Sequence, residues 1–250
     1  MRTFLAMLFI CGLFSGPKAI VRADDQTSAT AIVDTAIKAH GGLDNLMKTQ
    51  KIIRKATGVM SFFGQEVPFT DELVLQLPER SRYTLEGGPQ GQKTRFILVY
   101  DGDKAWQSAA SATSEAPKDR LDMVRDEIYF LWLASLVPLK THTGFTLAVL
   151  ADAKVNDRNA STILVSREGR PDLKLFFDKA SGLLVKAERK TKEAGVPMEK
   201  EYFYANYRNV GGVNLPTRYQ EQSNGKKVVD VSSISYEFLS SVDDKLFAKP

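Results

Sequence analysis

The chain has 250 residues, 43% hydrophobic, 26% charged and 10% aromatic, with one cysteine and two histidines. This length suits one large domain or two small ones, and the composition excludes wholesale disorder. The single Cys11 excludes an intrachain disulfide and a cysteine-rich zinc site, and His40 and His142 show no metal-ligand spacing.

Met1-Arg2-Thr3 places a positive charge ahead of an apolar run at 4–14, which is of signal-peptide length and too short to span a membrane. Val21 and Ala23 supply small residues before a cut, which predicts cleavage after Ala23, a signal peptide at 1–23 and one domain at 24–250. Ile10 stands before Cys11 where a lipoprotein signal would have a small residue. The expected destination is the periplasm, with secretion second. The removed segment holds Arg2, Lys18, Arg22 and no acid, so 34 basic residues less three leaves 31 against 30 acidic ones. That balance gives no basic excess for binding nucleic acid.

In the mature chain, Ala31, Ile32, Ala36, Ile37, Leu43 and Leu46 recur at helical spacing, and Gly41-Gly42 marks a helix end within that stretch. His40 reads as a helix-end residue favoured by the dipole. The period then changes to two. Strands are expected at 53–63, 67–77, 80–86, 93–100 and 104–107, with turns at Gly64-Gln65, Pro78-Glu79 and Asp101-Gly102. The small, polar stretch 108–118 reads as a loop. A helix is expected at 119–137, charged at its start, apolar all round at its end and stopped by Pro138. Further strands are expected at 145–150, 160–166, 173–178, 182–192, 198–208, 213–222 and 226–238, with Asn224-Gly225 as the strongest hairpin signal.

These elements define an α+β protein: a single curved antiparallel sheet, an open half-barrel of about eleven strands, with helices covering its concave face. Lys186, Glu188, Lys190 and Lys192 share the wet face of one strand, so the other face is the dry one. Two helices can roof a trough this wide without filling it, which leaves a cavity for an apolar guest; a fully packed interior is the alternative.

No Gly-x-Ser-x-Gly, Walker loop, dinucleotide fingerprint or His-Glu-x-x-His is present. Asp101-Gly102-Asp103 reads as a turn, and Asp119, Asp122, Asp126 and Glu127, interleaved with Arg120 and Arg125, as a solvated helix start. The residues favour a binding protein without catalytic, metal or cofactor chemistry. A hydrolase would instead bring titratable side chains together inside the trough.

The segments 73–83 (Leu-Val-Leu-Gln-Leu-Pro-Glu-Arg-Ser-Arg-Tyr) and 96–106 (Phe-Ile-Leu-Val-Tyr-Asp-Gly-Asp-Lys-Ala-Trp) resemble the outer-membrane lipoprotein carriers of the LolA type. The segment 210–216 (Val-Gly-Gly-Val-Asn-Leu-Pro) resembles the wider LolA/LolB-like superfamily, and the closing Val242-Asp243 with Phe247 and Pro250 resembles the carriers' tail. The resemblance implies a half-barrel with a helical lid over a cavity for acyl chains. It implies a monomeric periplasmic carrier of lipoprotein acyl chains or other lipid that needs no cofactor and touches envelope membrane proteins transiently. A lipid- or lipoprotein-sensing module without transfer activity is the alternative. In the carriers an arginine precedes the proline of the first motif and takes part in lid closure; Leu77 stands there in this chain. The expected walls are Leu73, Leu75, Leu77, Tyr83, Leu85, Phe96, Leu98 and Trp106, and the expected lid residues are Leu131, Trp132 and Leu136.

Overall fold

The computed structural model describes residues 23–88, 94–109, 112–193 and 195–250. The expected signal peptide lies outside these but for Ala23. Helix α1 (Ala23–Ala39) buries Ala29, Val33, Ala36 and Ile37 on one face, while Asp34 turns outward to pair with Lys140 at 2.7 Å. Its end is set by Gly41 and Gly42 at φ +110° and +87°. A side chain at position 41 would also meet the Gly212 carbonyl oxygen at 2.0 Å, so glycine is required by close approach as well as by φ. Helix α2 (Leu43–Leu46) and a 3-10 turn (Met47–Gln50) lead into the sheet.

Six strands follow as a meander: β1 (Lys51–Phe62), β2 (Gln65–Gln76), β3 (Arg80–Gly87), β4 (Thr94–Asp101), β5 (Lys104–Ala109) and β6 (Ala112–Glu115). Helix α3 (Lys118–Ala134) and the short α4 (Pro138–Thr141) interrupt them. A second meander comprises β7 (Thr146–Val155), β8 (Arg158–Ser166), β9 (Leu173–Asp178), β10 (Leu184–Glu193), β11 (Val196–Val210), β12 (Val213–Ser223) and β13 (Lys226–Phe238). All belong to one antiparallel, open sheet in the order β6-β5-β4-β3-β2-β1-β13-β12-β11-β10-β9-β8-β7. The half-barrel and its covering helices are as the sequence predicts, with thirteen strands in place of about eleven.

Two local expectations are corrected. The stretch 108–118 is not all loop, because β6 pairs with β5 from Trp106↔Glu115 to Ala109↔Ala112. Its small residues carry little strand preference of their own, but β5 offers them an open row of backbone partners. The helix expected at 119–137 ends at Ala134. Ser135 N–H donates to the Leu131 carbonyl, Ser135 Oγ to that of Trp132, and Leu136 turns left-handed at φ +65°. Pro138 then opens α4 at its first turn, where a missing N–H costs nothing.

Alternation divides the sheet's side chains. Ile52, Arg54, Leu73, Leu75, Tyr83 and Leu98 face the helices. Ile53, Val74, Ile97 and Val99 face the other way, where the C-terminal 3-10 turn (Asp244–Phe247) lays Phe247 on them under the Arg80 guanidinium, 4.7 Å from the ring centroid. The main core lies between α1, the C-terminal part of α3 and β7–β12. A second core joins Val124 and Ile128 of α3 to Leu98, Tyr100 and Ala105 of β4 and β5.

Candidate functional site: a two-chambered trough beneath helix α3

The helices do not fill the trough. Two chambers lie between α3 and the sheet, one of about 1120 Å³ and the other of about 1200 Å³, each counted with its open mouth. The first chamber is walled by Leu46, Ile52, Leu75, Leu77, Ala134, Leu184 and Leu215, with His40 and Tyr207 at its end. The second is walled by Met60, Phe69, Tyr83, Leu85, Phe96 and Leu98 from the sheet and Met123, Val124 and Ile128 from α3. Arg54, Leu73, Glu127, Leu131, Tyr219 and Glu221 line both, and so form the waist between them.

Of the sequence-predicted site residues, Leu73, Leu75, Leu77, Tyr83, Leu85, Phe96, Leu98 and Leu131 line these chambers. Three do not. Trp106 pairs with Val99 across the β4–β5 hairpin and so shares its outward face, packing in the small core around Phe247. Trp132 is 5% exposed and packs against His142 and Phe145, at ring-centroid distances of 4.9 and 6.0 Å. Leu136, beyond the helix end, is buried in the main core.

The waist holds polar groups that the sequence reading missed. Arg54 of β1 meets Asp71 of β2, with Nη2 at 2.8 Å from both carboxylate oxygens. The Asp71 side chain is 2% exposed. Burial pushes its carboxyl above the usual carboxylate range, opposed by the Arg54 charge and by hydrogen bonds from Arg54 and Tyr83. The Arg54 guanidinium, although burial disfavours its charge, is held charged by the Asp71 carboxylate. Burial pushes the Tyr219 phenol up to about 12 and raises Tyr83 and Tyr236, so all three stay protonated at neutral pH.

A second cluster fastens the roof. Arg189 of β10 donates through Nε and Nη2 to the Tyr202 hydroxyl at 3.2 and 2.8 Å, through Nη1 to the Asp126 carbonyl at 3.1 Å, and through Nη2 to Glu127. Its guanidinium also stacks 4.5 Å from the Phe130 ring centroid. Asp126, Glu127 and Phe130 belong to α3, so one sheet arginine holds the helix at three points. Lys200 and Glu221 pair at 2.8 Å beside it. Burial raises the Glu221 carboxyl, countered by Lys200.

Titratable groups therefore do converge here, but each acid is matched to a base rather than to a nucleophile. His40 lies at the far end of the first chamber, its Nδ1 2.8 Å from the Ala36 carbonyl, and burial lowers its pKa, so it serves as a neutral helix-end residue. Thr49 Oγ1 and Ser135 Oγ donate to backbone carbonyls. Among the described residues no cluster of three or more His, Cys, Asp or Glu could hold a metal ion.

No protein-family model and no curated protein matches the chain. Solved structures do. A LolA superfamily protein from Nitrosomonas europaea is 15% identical, with 88% of this chain and 97% of that one covered at a TM-score of 0.54. A putative outer membrane lipoprotein-sorting protein domain from Vibrio parahaemolyticus is 9% identical, with 89% and 97% covered at 0.53. A DUF1329 family protein from Desulfovibrio piger is 12% identical, with 88% and 97% covered at 0.57. At these identities the likeness is one of architecture, and it matches what the motifs at 73–83 and 96–106 imply: the chain has the fold of the LolA superfamily.

Proposed function

We propose that the protein binds the hydrocarbon chains of a lipid or lipoprotein beneath helix α3 and carries them through the periplasm, without catalysis and without a cofactor. The observation that supports this reading most is the pair of adjacent chambers, whose apolar walls are leucine and tyrosine with some phenylalanine and methionine, in the trough of a LolA-type fold. Each methylene buried there contributes about 0.8 kcal/mol, so one chain of about 15 methylenes gains on the order of 10 kcal/mol before ordering costs. The pairing of every ionised group at the waist, with no nucleophile set against a base, favours binding over hydrolysis. Export by the signal peptide, action as a monomer and transient contact with envelope membrane proteins complete the proposal.

Leu131 lines both chambers, so Leu131→Trp should plug the waist. Uptake of a fluorophore-bearing triacylated lipopeptide is expected to fall at least about tenfold in this variant, with its circular dichroism unchanged. No uptake by the wild-type protein would overturn the reading. Uptake without delivery to acceptor vesicles would leave a sensing module in place of a carrier.

A further inference from the structure

The second chamber has one charge left over. The ion pairs Arg54–Asp71, Arg189–Glu127 and Lys200–Glu221 account for every charged side chain that lines it among the described residues, except Arg120 of α3. Asp122 is taken by Lys118 and Arg125, and no carboxylate among the described residues pairs with Arg120. The Arg120 guanidinium instead lies along the chamber wall, its Nη1 4.0 Å from the Met123 sulfur. Arg120 is exposed although it lines the chamber, so it stands where the chamber opens to solvent. Thr191 of β10, on the same face as Arg189, adds a hydroxyl to the same lining. The first chamber has the reverse balance: among the described residues its lining sets Arg54 against both Glu127 and Glu221.

We infer that the second chamber takes an anionic amphiphile, its hydrocarbon tail beneath α3 and its carboxylate or phosphate head at the mouth beside Arg120. The inference deepens the lipid-binding reading and rests on it. A head at the mouth keeps its hydration and so escapes the cost of burying a charge. There the planar guanidinium offers paired N–H donors to two anionic oxygens. Met123, Val124, Ile128 and Leu131 follow Arg120 along one face of α3 and line the chamber below it. From Arg120 to Leu131 the helix rises about 16 Å, which leaves an apolar wall for a medium-length acyl tail. The opposite balances of the two linings set the direction, since the acidic excess of the first chamber repels the head that the second attracts.

The test is equilibrium dialysis of the purified protein at about pH 8 against radiolabelled laurate, dodecyl phosphate and dodecanol, which share a tail and differ in the head. Arg120→Gln is expected to weaken laurate or dodecyl phosphate about fivefold and dodecanol less than about twofold, the size for a solvent-exposed ion pair. Arg120→Glu should deepen the loss for the same anion. Arg95→Gln removes an equal charge from the other face of the sheet, where Arg95 pairs with Glu86, and is expected to change none of the three. The anion that loses more to Arg120→Gln names the head as carboxylate or phosphate. No loss of either anion in Arg120→Gln, an equal loss of dodecanol, or the same losses in Arg95→Gln would overturn the inference and leave lipid binding standing. Binding of none of the three by the wild type would remove both.

Discussion

Arg189 shows how much of the roof depends on one side chain. It satisfies a carbonyl and a carboxylate of α3 and stacks on Phe130 of the same helix. Arg189→Met keeps the aliphatic stem but leaves Glu127 and the Tyr202 hydroxyl without their donor. A loss of about 2–3 kcal/mol is expected from the urea-unfolding midpoint, the range for hydrogen bonds to charged groups. His40 gives a pH dependence of definite sign. Burial sets its folded pKa below the ordinary 6.5, so in the window beneath that value the unfolded chain binds more protons. The His40 contribution is therefore constant above about pH 6.5 and falls as pH drops through the window, a slope that His40→Gln should flatten in denaturation series run from pH 7 to 5. Most of the cavity wall was legible because period-two alternation groups Leu73, Leu75 and Leu77, and likewise Tyr83 and Leu85. The ionic waist was readable in principle. Asp71 has the parity of Leu73 and Leu75, Arg54 that of Ile52 and Ala56, and Arg189 that of Ala187, so each is a charge on a dry face. Their pairing was not readable, since Arg54 sits opposite Leu73 and meets Asp71 only across the diagonal.

Among the elements, the β1–β2 hairpin carries an unusual turn. Phe63 and Gly64, at φ +48° and +78°, form its two-residue connection, and Phe63 is 92% exposed. A bulky residue pays a steric penalty in the left-handed region, where asparagine is favoured. Phe63→Asn is expected to raise stability by about 1 kcal/mol, seen as a higher denaturant midpoint at constant slope. The same hairpin marks a limit of sequence reading: the strand pattern ran on to Phe63 because the residue is apolar, whereas the turn depends on backbone angles that hydrophobicity does not report. Trp106 and Trp132 were misplaced for a related reason. Alternation tells which residues share a face, not which face is inward, and a helix end apolar all round does not show which side meets the trough. The strands 173–178 and 226–238 were legible to the residue, being bounded by strong turn signals.

On the scale of the whole molecule, the sheet is two sequential meanders, β1–β6 and β7–β13, whose strands among the described residues pair with each other along β1 and β13, from Ile52↔Phe238 to Met60↔Val229. Arg54 of β1 and Tyr236 of β13 both line the first chamber, so a guest spans this seam. Bound lipid at about 100 times its dissociation constant should add about 2.7 kcal/mol to stability. The accompanying prediction is local: amide exchange in β1 and β13 should slow on loading, while that in the outer strand β7 changes little. The seam also orders events in time. The strand that will lie beside β1 is the last of the thirteen in the chain, so β1 is complete before its partner is. Until that strand arrives, one complete flank of the first meander presents its backbone amides and carbonyls to solvent, an open edge on which another extended chain can pair.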